Sequence, residues 1–144
     1  SWVANFEPGW SSFSRAYDYP DKQSIIVIAG GLGYVMFPNE EKPQLTFGRN
    51  ITEALQLPNG TLVCANNVDL IIIDNTNGQL WQTEGISWDG IKNLSVIGDE
   101  IHGLAFDPAE VEDTWRPFSV NLVTREIDGG TNRESSRNWW KFWA

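Results

Sequence analysis

The sequence predicts an all-β protein, an antiparallel meander that forms a twisted or rolled sheet or sandwich with little helix. Three observations predict this class. The apolar residues fall into short runs, the runs show no helical period, and Gly, Asn, Asp or Pro separates each run from the next. The connections are too short for the crossover that a parallel pair requires, so consecutive strands are expected to pair antiparallel.

The elements follow from these runs in chain order. The apolar run 24–29 predicts a buried strand, and the glycines that follow it turn the chain into a second strand over 34–37. Pro58-Asn59-Gly60 predicts a tight turn between two later strands. Helical character is limited to 107–113, where Pro108 suits a first helical turn, and to the C-terminal tail. The remaining strands are predicted over 44–47, 53–57, 61–65, 68–74, 79–82, 94–97, 101–106, 118–123 and 126–127.

One hairpin resembles a known repeat. The segment 74–81, with Asp74 and Gly78 at the turn and Leu80-Trp81 after it, is similar to the hairpin signature of quinoprotein-type propeller repeats. The segment 121–127 is a shorter echo without the Trp. A propeller blade takes about 40 to 45 residues and closure needs at least four blades, whereas this chain has room for about three. The resemblance therefore implies an incomplete-propeller-like sheet arrangement.

A second resemblance concerns the last third of the chain. The segment 85–94, with its Trp88-Asp89-Gly90 turn, resembles a set of small uncharacterised bacterial proteins when it is taken with 115–122 and 128–130. The resemblance implies a bacterial origin and no activity.

Length and composition predict a single β domain over 1–132, followed by an aromatic and basic tail over 133–144. The single cysteine, Cys64, can form no internal disulfide, which suits a reducing compartment. No apolar run approaches the roughly 20 residues of a membrane span, and no charged-then-apolar leader is present at Ser1. A cytoplasmic protein is the expectation.

Negative charge is concentrated in the middle of the chain. Between Asn50 and Trp115 there are eleven acidic side chains and one basic side chain, Lys92, a local net charge of −10. Such a field repels nucleic acid and anionic lipid and attracts basic proteins. We therefore expect no nucleic-acid partner and no membrane contact of this region.

The segment 99–113 is the strongest candidate for a binding surface. It holds six acidic residues and no Lys or Arg, with one aromatic inside it and another just beyond. Aromatic anchors surrounded by steering charges are typical of protein-binding surfaces, although a merely solvating loop would have the same composition. The hypothesis is a non-enzymatic immunity protein or inhibitor that covers the basic surface of a toxin or nuclease. The predicted partner-binding residues are Asp99, Glu100, Phe106, Asp107, Glu110, Glu112, Asp113 and Trp115.

An alternative function is a carbohydrate-binding or structural β module. Eight Trp residues are many for this length, and Trp88 and Trp115 stand in turn-like segments beside Asp89 and Asp113. Exposed Trp rings suit sugar rings, and paired carboxylates would suit glycoside hydrolysis. The alternative ligand-binding residues are therefore Trp88 and Trp115.

No catalytic residue, cofactor or metal site is predicted. His102 is the single histidine and shares a strand face with Glu100, but no nucleophile turn lies near it. The glycines at 30–33 precede a strand and not a helix, so they favour a turn over a phosphate loop. Asp69 and Asp74 lack the spacing of a calcium loop.

The tail 133–144 differs in character from the rest of the chain. It carries three basic residues and one acidic residue, a net charge of +2, and four aromatics within five positions. We expect it to dock on protein, either on the acidic sheet or on a second copy, which would make a homo-oligomer through the tail or a sheet edge. Interfacial membrane contact is the alternative. The predicted tail contacts are Trp139, Trp140, Phe142 and Trp143.

Overall fold

The computed structural model describes residues 13–19, 24–36, 45–74, 80–107 and 114–131. These residues form strands, turns and irregular segments without any helix, so the predicted all-β antiparallel class is confirmed. The predicted helical segment 107–113 lies outside the described residues except for Asp107, which ends a strand. The strands are β1 (Arg15–Tyr19), β2 (Ser24–Ala29), β3 (Leu32–Met36), β4 (Leu45–Phe47), β5 (Glu53–Gln56), β6 (Leu62–Ala65), β7 (Leu70–Ile73), β8 (Leu80–Gln82), β9 (Ile91–Ile97), β10 (Glu100–Asp107), β11 (Thr114–Asn121) and β12 (Ile127–Gly129).

The strands form three four-stranded antiparallel sheets in which neighbours follow chain order. The orders are β1-β2-β3-β4, β5-β6-β7-β8 and β9-β10-β11-β12. Each sheet is therefore a meander, because strands that are consecutive in the chain are neighbours within the sheet. A four-stranded meander is also the topology of one propeller blade, as the incomplete-propeller-like prediction requires of each sheet.

The chain divides into two compact units. Unit 1 comprises the chain up to Asn66 together with Ile71–Trp81, and unit 2 comprises Asn67–Leu70 and the chain from Gln82 onward. The prediction of a single domain over 1–132 stays a prediction. The boundary between the units falls at the first residue of β7 and the last residue of β8.

Unit 1 is sandwich-like, since its two sheets contribute to one apolar core. Both sheets supply aliphatic side chains that water does not reach, which is the main favourable term in folding. Gly33 on β3 leaves room for the ring of Phe47, the residue opposite it on β4 of the same sheet, because a Cβ there would overlap that ring. The core cluster consists of Ile26, Ile28, Val35, Phe47, Ile51, Leu62, Cys64, Ile71 and Ile73.

The first strand is absent from the sequence-based prediction. β1 pairs with β2 at the edge of its sheet, and Arg15, Ala16 and Asp18 are exposed. An edge strand with charged, exposed side chains shows little of the apolar pattern on which strand prediction rests. Its backbone is held from outside the sheet as well, because the Gln56 side-chain amide donates to the Asp18 carbonyl at 2.6 Å.

Unit 2 is built on the sheet β9–β12, whose strands alternate between a buried and a more exposed face. The buried side chains include Ile101, Ala105, Phe118 and Val120. The strand β9 begins three residues earlier than predicted. Its register with β10 shifts at a bulge, where Asn93 takes a left-handed conformation with φ 59°. A pattern search for strict alternation loses the strand at such a point.

An irregular loop, 83–90, is tied to the segment 67–70 by the carboxylate of Asp69. This buried side chain accepts hydrogen bonds at Oδ1 from the Thr83 hydroxyl at 2.8 Å and from the Ile86 backbone N–H at 3.2 Å. The same hydroxyl accepts from the Leu70 N–H at 2.9 Å. Asp69 is therefore a structural residue that satisfies two buried donors.

Replacing Asp69 with Ala should lower the free energy of unfolding by about 2 to 3 kcal/mol, because the Thr83 hydroxyl and the Ile86 N–H lose a buried acceptor. Urea unfolding followed by circular dichroism measures the loss. Asp89→Ala is the matched control, since Asp89 lies exposed in the same loop, and it should change stability by no more than about 0.5 kcal/mol. Equal losses in the two variants would contradict the assigned role.

The thiol of Cys64 lies in the core of unit 1, and burial raises its pKa from 9.0 to about 12. At pH 8 only about one thiol in ten thousand would be ionised, and the thiolate is the reactive form. We expect no reaction of the native protein with a thiol-specific chromogenic reagent at pH 8, and full reaction in denaturant.

The same shift makes stability depend on alkaline pH. Above pH 9 the thiol ionises in the unfolded state but keeps its proton in the folded state. The contribution of the buried thiol to the free energy of unfolding is therefore fully present below pH 9. It should fall by about 1.4 kcal/mol per pH unit between roughly 9 and 12. The comparison of wild type with Cys64→Ala isolates this contribution. Parallel pH profiles for the two proteins would refute it.

Candidate functional site

The more exposed face of the sheet β9–β12, which we call the outer face, carries several polar side chains that the strand register places together. Strand pairing places His102 opposite Ser95 on one side and Ser119 on the other, and Ser119 lies opposite Asp128. Directly opposed residues of antiparallel strands lie on the same face. Glu100 follows in the next row, opposite Asn121. The meander therefore brings side chains of four strands into two adjoining polar rows.

Within this face, Glu100 and His102 contact each other as their spacing predicts. His102 Nε2 lies 3.1 Å from Glu100 Oε2, with the two side chains 38% and 47% exposed. Residues two apart on a strand point to the same face, which is why the sequence alone anticipates this pair. With both groups so open to water, the contact contributes little to stability.

A polar pocket lies on the outer face, at the end of the sheet that carries the β11–β12 turn. Its volume is about 690 Å³, within the range of small-molecule and side-chain binding sites. The lining carries three carboxylates and one guanidinium, a net charge of −2. We call it the acidic pocket, and its lining residues are Glu100, Ser119, Asn121, Arg125, Glu126, Ile127 and Asp128.

One wall of the acidic pocket is a turn held by the side chain of Asn121. Its Oδ1 accepts hydrogen bonds from the backbone N–H groups of Val123 at 2.8 Å and Thr124 at 2.9 Å. Arg125 takes a left-handed conformation with φ 65° and donates its N–H to the Asn121 carbonyl at 2.8 Å. An Asx side chain that caps a turn in this way orders the backbone locally. The wall is therefore organised before any ligand arrives.

The same turn is attached to the neighbouring hairpin. The Leu122 N–H donates to the Asp99 carbonyl at 2.8 Å, so the β11–β12 turn lies beside the β9–β10 turn. Two aliphatic side chains at this end of the sheet are open to water, Ile97 at 65% and Val123 at 73% exposure. The acidic pocket is thus accompanied by exposed apolar groups, a combination common at binding surfaces.

The other end of the outer face is aromatic. Phe106 and Trp115 pair across β10 and β11, with ring centroids 5.4 Å apart and planes at 56°. The ammonium of Lys92 lies 4.0 Å from the Trp115 ring centroid, a cation–π contact. Gly90 packs beneath the rings, since a Cβ there would lie 3.1 Å from the Trp115 ring. The predicted aromatic anchor therefore makes contacts within its own unit.

The predicted partner-binding residues are dispersed by this geometry. Asp99 and Glu100 lie at the pocket end, whereas Phe106, Asp107 and Trp115 lie at the aromatic end. Asp107 is 13% exposed and its Oδ2 accepts a hydrogen bond from Arg116 Nε at 2.7 Å. Glu110, Glu112 and Asp113 lie outside the described residues, as do the tail contacts Trp139, Trp140, Phe142 and Trp143.

The two Trp residues of the carbohydrate hypothesis differ in environment. Trp88 lies in the loop 83–90 and is 43% exposed. Trp115 lies within β11 and not in a turn, and it is partly buried under Lys92. Trp88 is therefore the more accessible of the two rings.

Most of the acidic pocket was absent from the sequence-based prediction. Of the lining residues, the sequence predicts only Glu100 as a binding residue, and Ser119, Asn121, Glu126 and Asp128 are found only in the structure. The signal that could have found them is the hairpin return after 124, which brings the strand that carries Asp128 alongside β11. The register of that return, and so the identity of the opposed residues, depends on the turn that Asn121 caps.

Among the residues that the structure describes, no group of three or more His, Cys, Asp and Glu side chains is arranged to hold a metal ion. The described part of the chain also contains no helix long and apolar enough to cross a membrane. Comparisons with protein-family models, curated proteins and solved structures find no match to this chain.

Asn121→Ala should destabilise unit 2 by about 1 kcal/mol, because two turn N–H groups lose their acceptor. It should also speed hydrogen exchange at the Val123 and Thr124 amides. Asn121→Asp is the matched control, because a carboxylate keeps the acceptor and should preserve the slow exchange. Fast exchange in both variants, or in neither, would show that the side chain does not order this turn.

Proposed function

We propose that this protein is a non-enzymatic binding module whose acidic pocket receives a basic segment of another protein. The observation that carries the proposal is the pocket itself, in which Glu100, Glu126 and Asp128 surround an open cavity with a single guanidinium, that of Arg125. Carboxylates on an ordered wall suit the ammonium of a lysine or the guanidinium of an arginine from a partner.

The charge of the chain supports a basic partner as well. The protein carries a formal net charge of −9, and the acidic middle between Asn50 and Trp115, with a local net charge of −10, holds all of the excess negative charge. Such a field accelerates encounter with a cationic surface and slows approach to anions. Because Glu126 and Asp128 are exposed, their contribution should be sensitive to salt.

The partner class that fits best is a protein with a basic groove. A nuclease, or another toxin that acts on nucleic acid, presents such a groove to its substrate, and an acidic module that covers the groove would block it. The role proposed for this protein is therefore that of an immunity protein or inhibitor.

His102 is better explained as a member of the polar face than as a catalytic base. Its Nε2 faces the Glu100 carboxylate, and the residues opposite it, Ser95 and Ser119, lie within regular strands. A serine nucleophile is normally presented on a strained turn at the end of a strand. The proposed function includes no step in which a covalent bond is made or broken.

The test is capture of partners from lysate of the native organism, followed by calorimetry with the captured protein after purification. The double variant Glu126→Gln/Asp128→Asn should weaken binding at least about tenfold at low salt, because it removes two of the pocket's charges. The matched control is Glu84→Gln/Asp89→Asn, which removes two exposed charges from the loop 83–90 and should leave affinity unchanged.

Equal weakening by the two double variants would mean that only the overall charge matters and that the acidic pocket is not the site. Capture of a glycan-bearing or neutral partner, lost in Trp88→Ala and insensitive to salt, would favour the alternative function, a carbohydrate-binding module. The exposed ring of Trp88 beside the exposed Asp89 is the observation behind that alternative.

A further inference from the structure

The outer face of the sheet β9–β12 has a candidate occupant within the chain itself, the segment 133–144. We propose that this segment binds in cis across the acidic pocket. The inference does not depend on the proposed partner, because it concerns the protein alone. If both hold, the partner has to displace the segment.

The first argument is where the described chain ends. Thr131 is anchored in unit 2, since its N–H donates to the Ile86 carbonyl at 2.9 Å and its hydroxyl donates to the Phe106 carbonyl at 2.7 Å. The chain therefore leaves unit 2 from the aromatic end of the sheet to which the acidic pocket belongs.

The second argument is reach. Thirteen residues follow Thr131, and an extended chain covers at most about 3.3 to 3.6 Å per residue, or roughly 45 Å. The eight residues of β10, which run from the pocket to the aromatic end, span about 27 Å. The segment can therefore extend along the whole outer face and reach the pocket without any rearrangement of unit 2.

The third argument is complementary chemistry. The segment carries Arg133, Arg137 and Lys141 against one acid, Glu134, a net charge of +2. The pocket lining has a net charge of −2. The predicted tail contacts are three Trp and one Phe. Ile97 and Val123, which are exposed near the pocket, are aliphatic side chains against which such rings can pack. Opposite charges and apolar groups thus occur together on both sides of the proposed contact.

The test places a nitroxide spin label on the segment through Ser136→Cys and measures paramagnetic broadening of backbone amide signals. The native Cys64 should not interfere, because its thiol is buried with a pKa of about 12. At low salt we expect strong broadening at the amides of Glu100, Val123 and Ile127. The same chain with Glu126→Lys/Asp128→Lys should lose most of it.

The matched control is Glu84→Lys/Asp89→Lys, which changes net charge equally but alters the loop 83–90. It should keep the broadening. Absence of broadening on the outer face in the labelled wild type, or its persistence in Glu126→Lys/Asp128→Lys, would overturn the proposal.

A mixed sample separates cis from trans binding. Labelled protein without ¹⁵N is combined with ¹⁵N protein that carries no label. If the mixed sample shows broadening as strong as the sample in which one chain carries both ¹⁵N and the nitroxide, a second copy provides the segment. That result would overturn binding in cis. None of these measurements includes a partner protein. A negative spin-label result therefore does not contradict the proposed function, and a negative partner-binding result does not contradict binding of the segment in cis.

Discussion

The hydrogen bonds accepted by the buried carboxylate of Asp69 determine how unit 2 is built. They bind the loop 83–90 to the segment 67–70, and backbone contacts continue the attachment on both sides. The Ser87 N–H donates to the Val68 carbonyl at 3.0 Å, and the Gly90 N–H donates to the Asn67 carbonyl at 2.7 Å. The loop has no regular structure, yet these hydrogen bonds give its buried polar groups partners.

The sheet β9–β12 depends in turn on this loop. The Gly90 carbonyl accepts from the Phe106 N–H at 3.0 Å, and the Ile86 carbonyl accepts from the Thr131 N–H at 2.9 Å. The loop is therefore bonded both to β10 and to the chain just beyond β12. Because the opposite face buries Ile101, Ala105, Phe118 and Val120, the polar side chains of the pocket lie on the outer face. The acidic pocket is a consequence of that division.

Local pattern was sufficient for most strands. The run 24–29 coincides with β2, and the strands predicted at 53–57 and 61–65 agree with β5 and β6 within a residue at each end. Each has a strong apolar composition bounded by turn residues, which is information carried within a few positions. β1 was missed because an exposed edge strand has no such composition, and β9 was shortened because the bulge at Asn93 interrupts its alternation.

The site was less accessible to prediction than the fold. The period of a strand is enough to place Glu100 beside His102, and composition is enough to predict an acidic surface. Neither indicates that Trp115 pairs with Phe106 beneath Lys92, since that requires the register of three strands. The class of the fold, the sign of the surface charge and the hairpin connections are local or additive properties, and the chain alone establishes them. Which carboxylates surround one cavity depends on the register of β10, β11 and β12, and only the tertiary structure settles it, because that register places Glu100 beside residues that are distant from it in the chain.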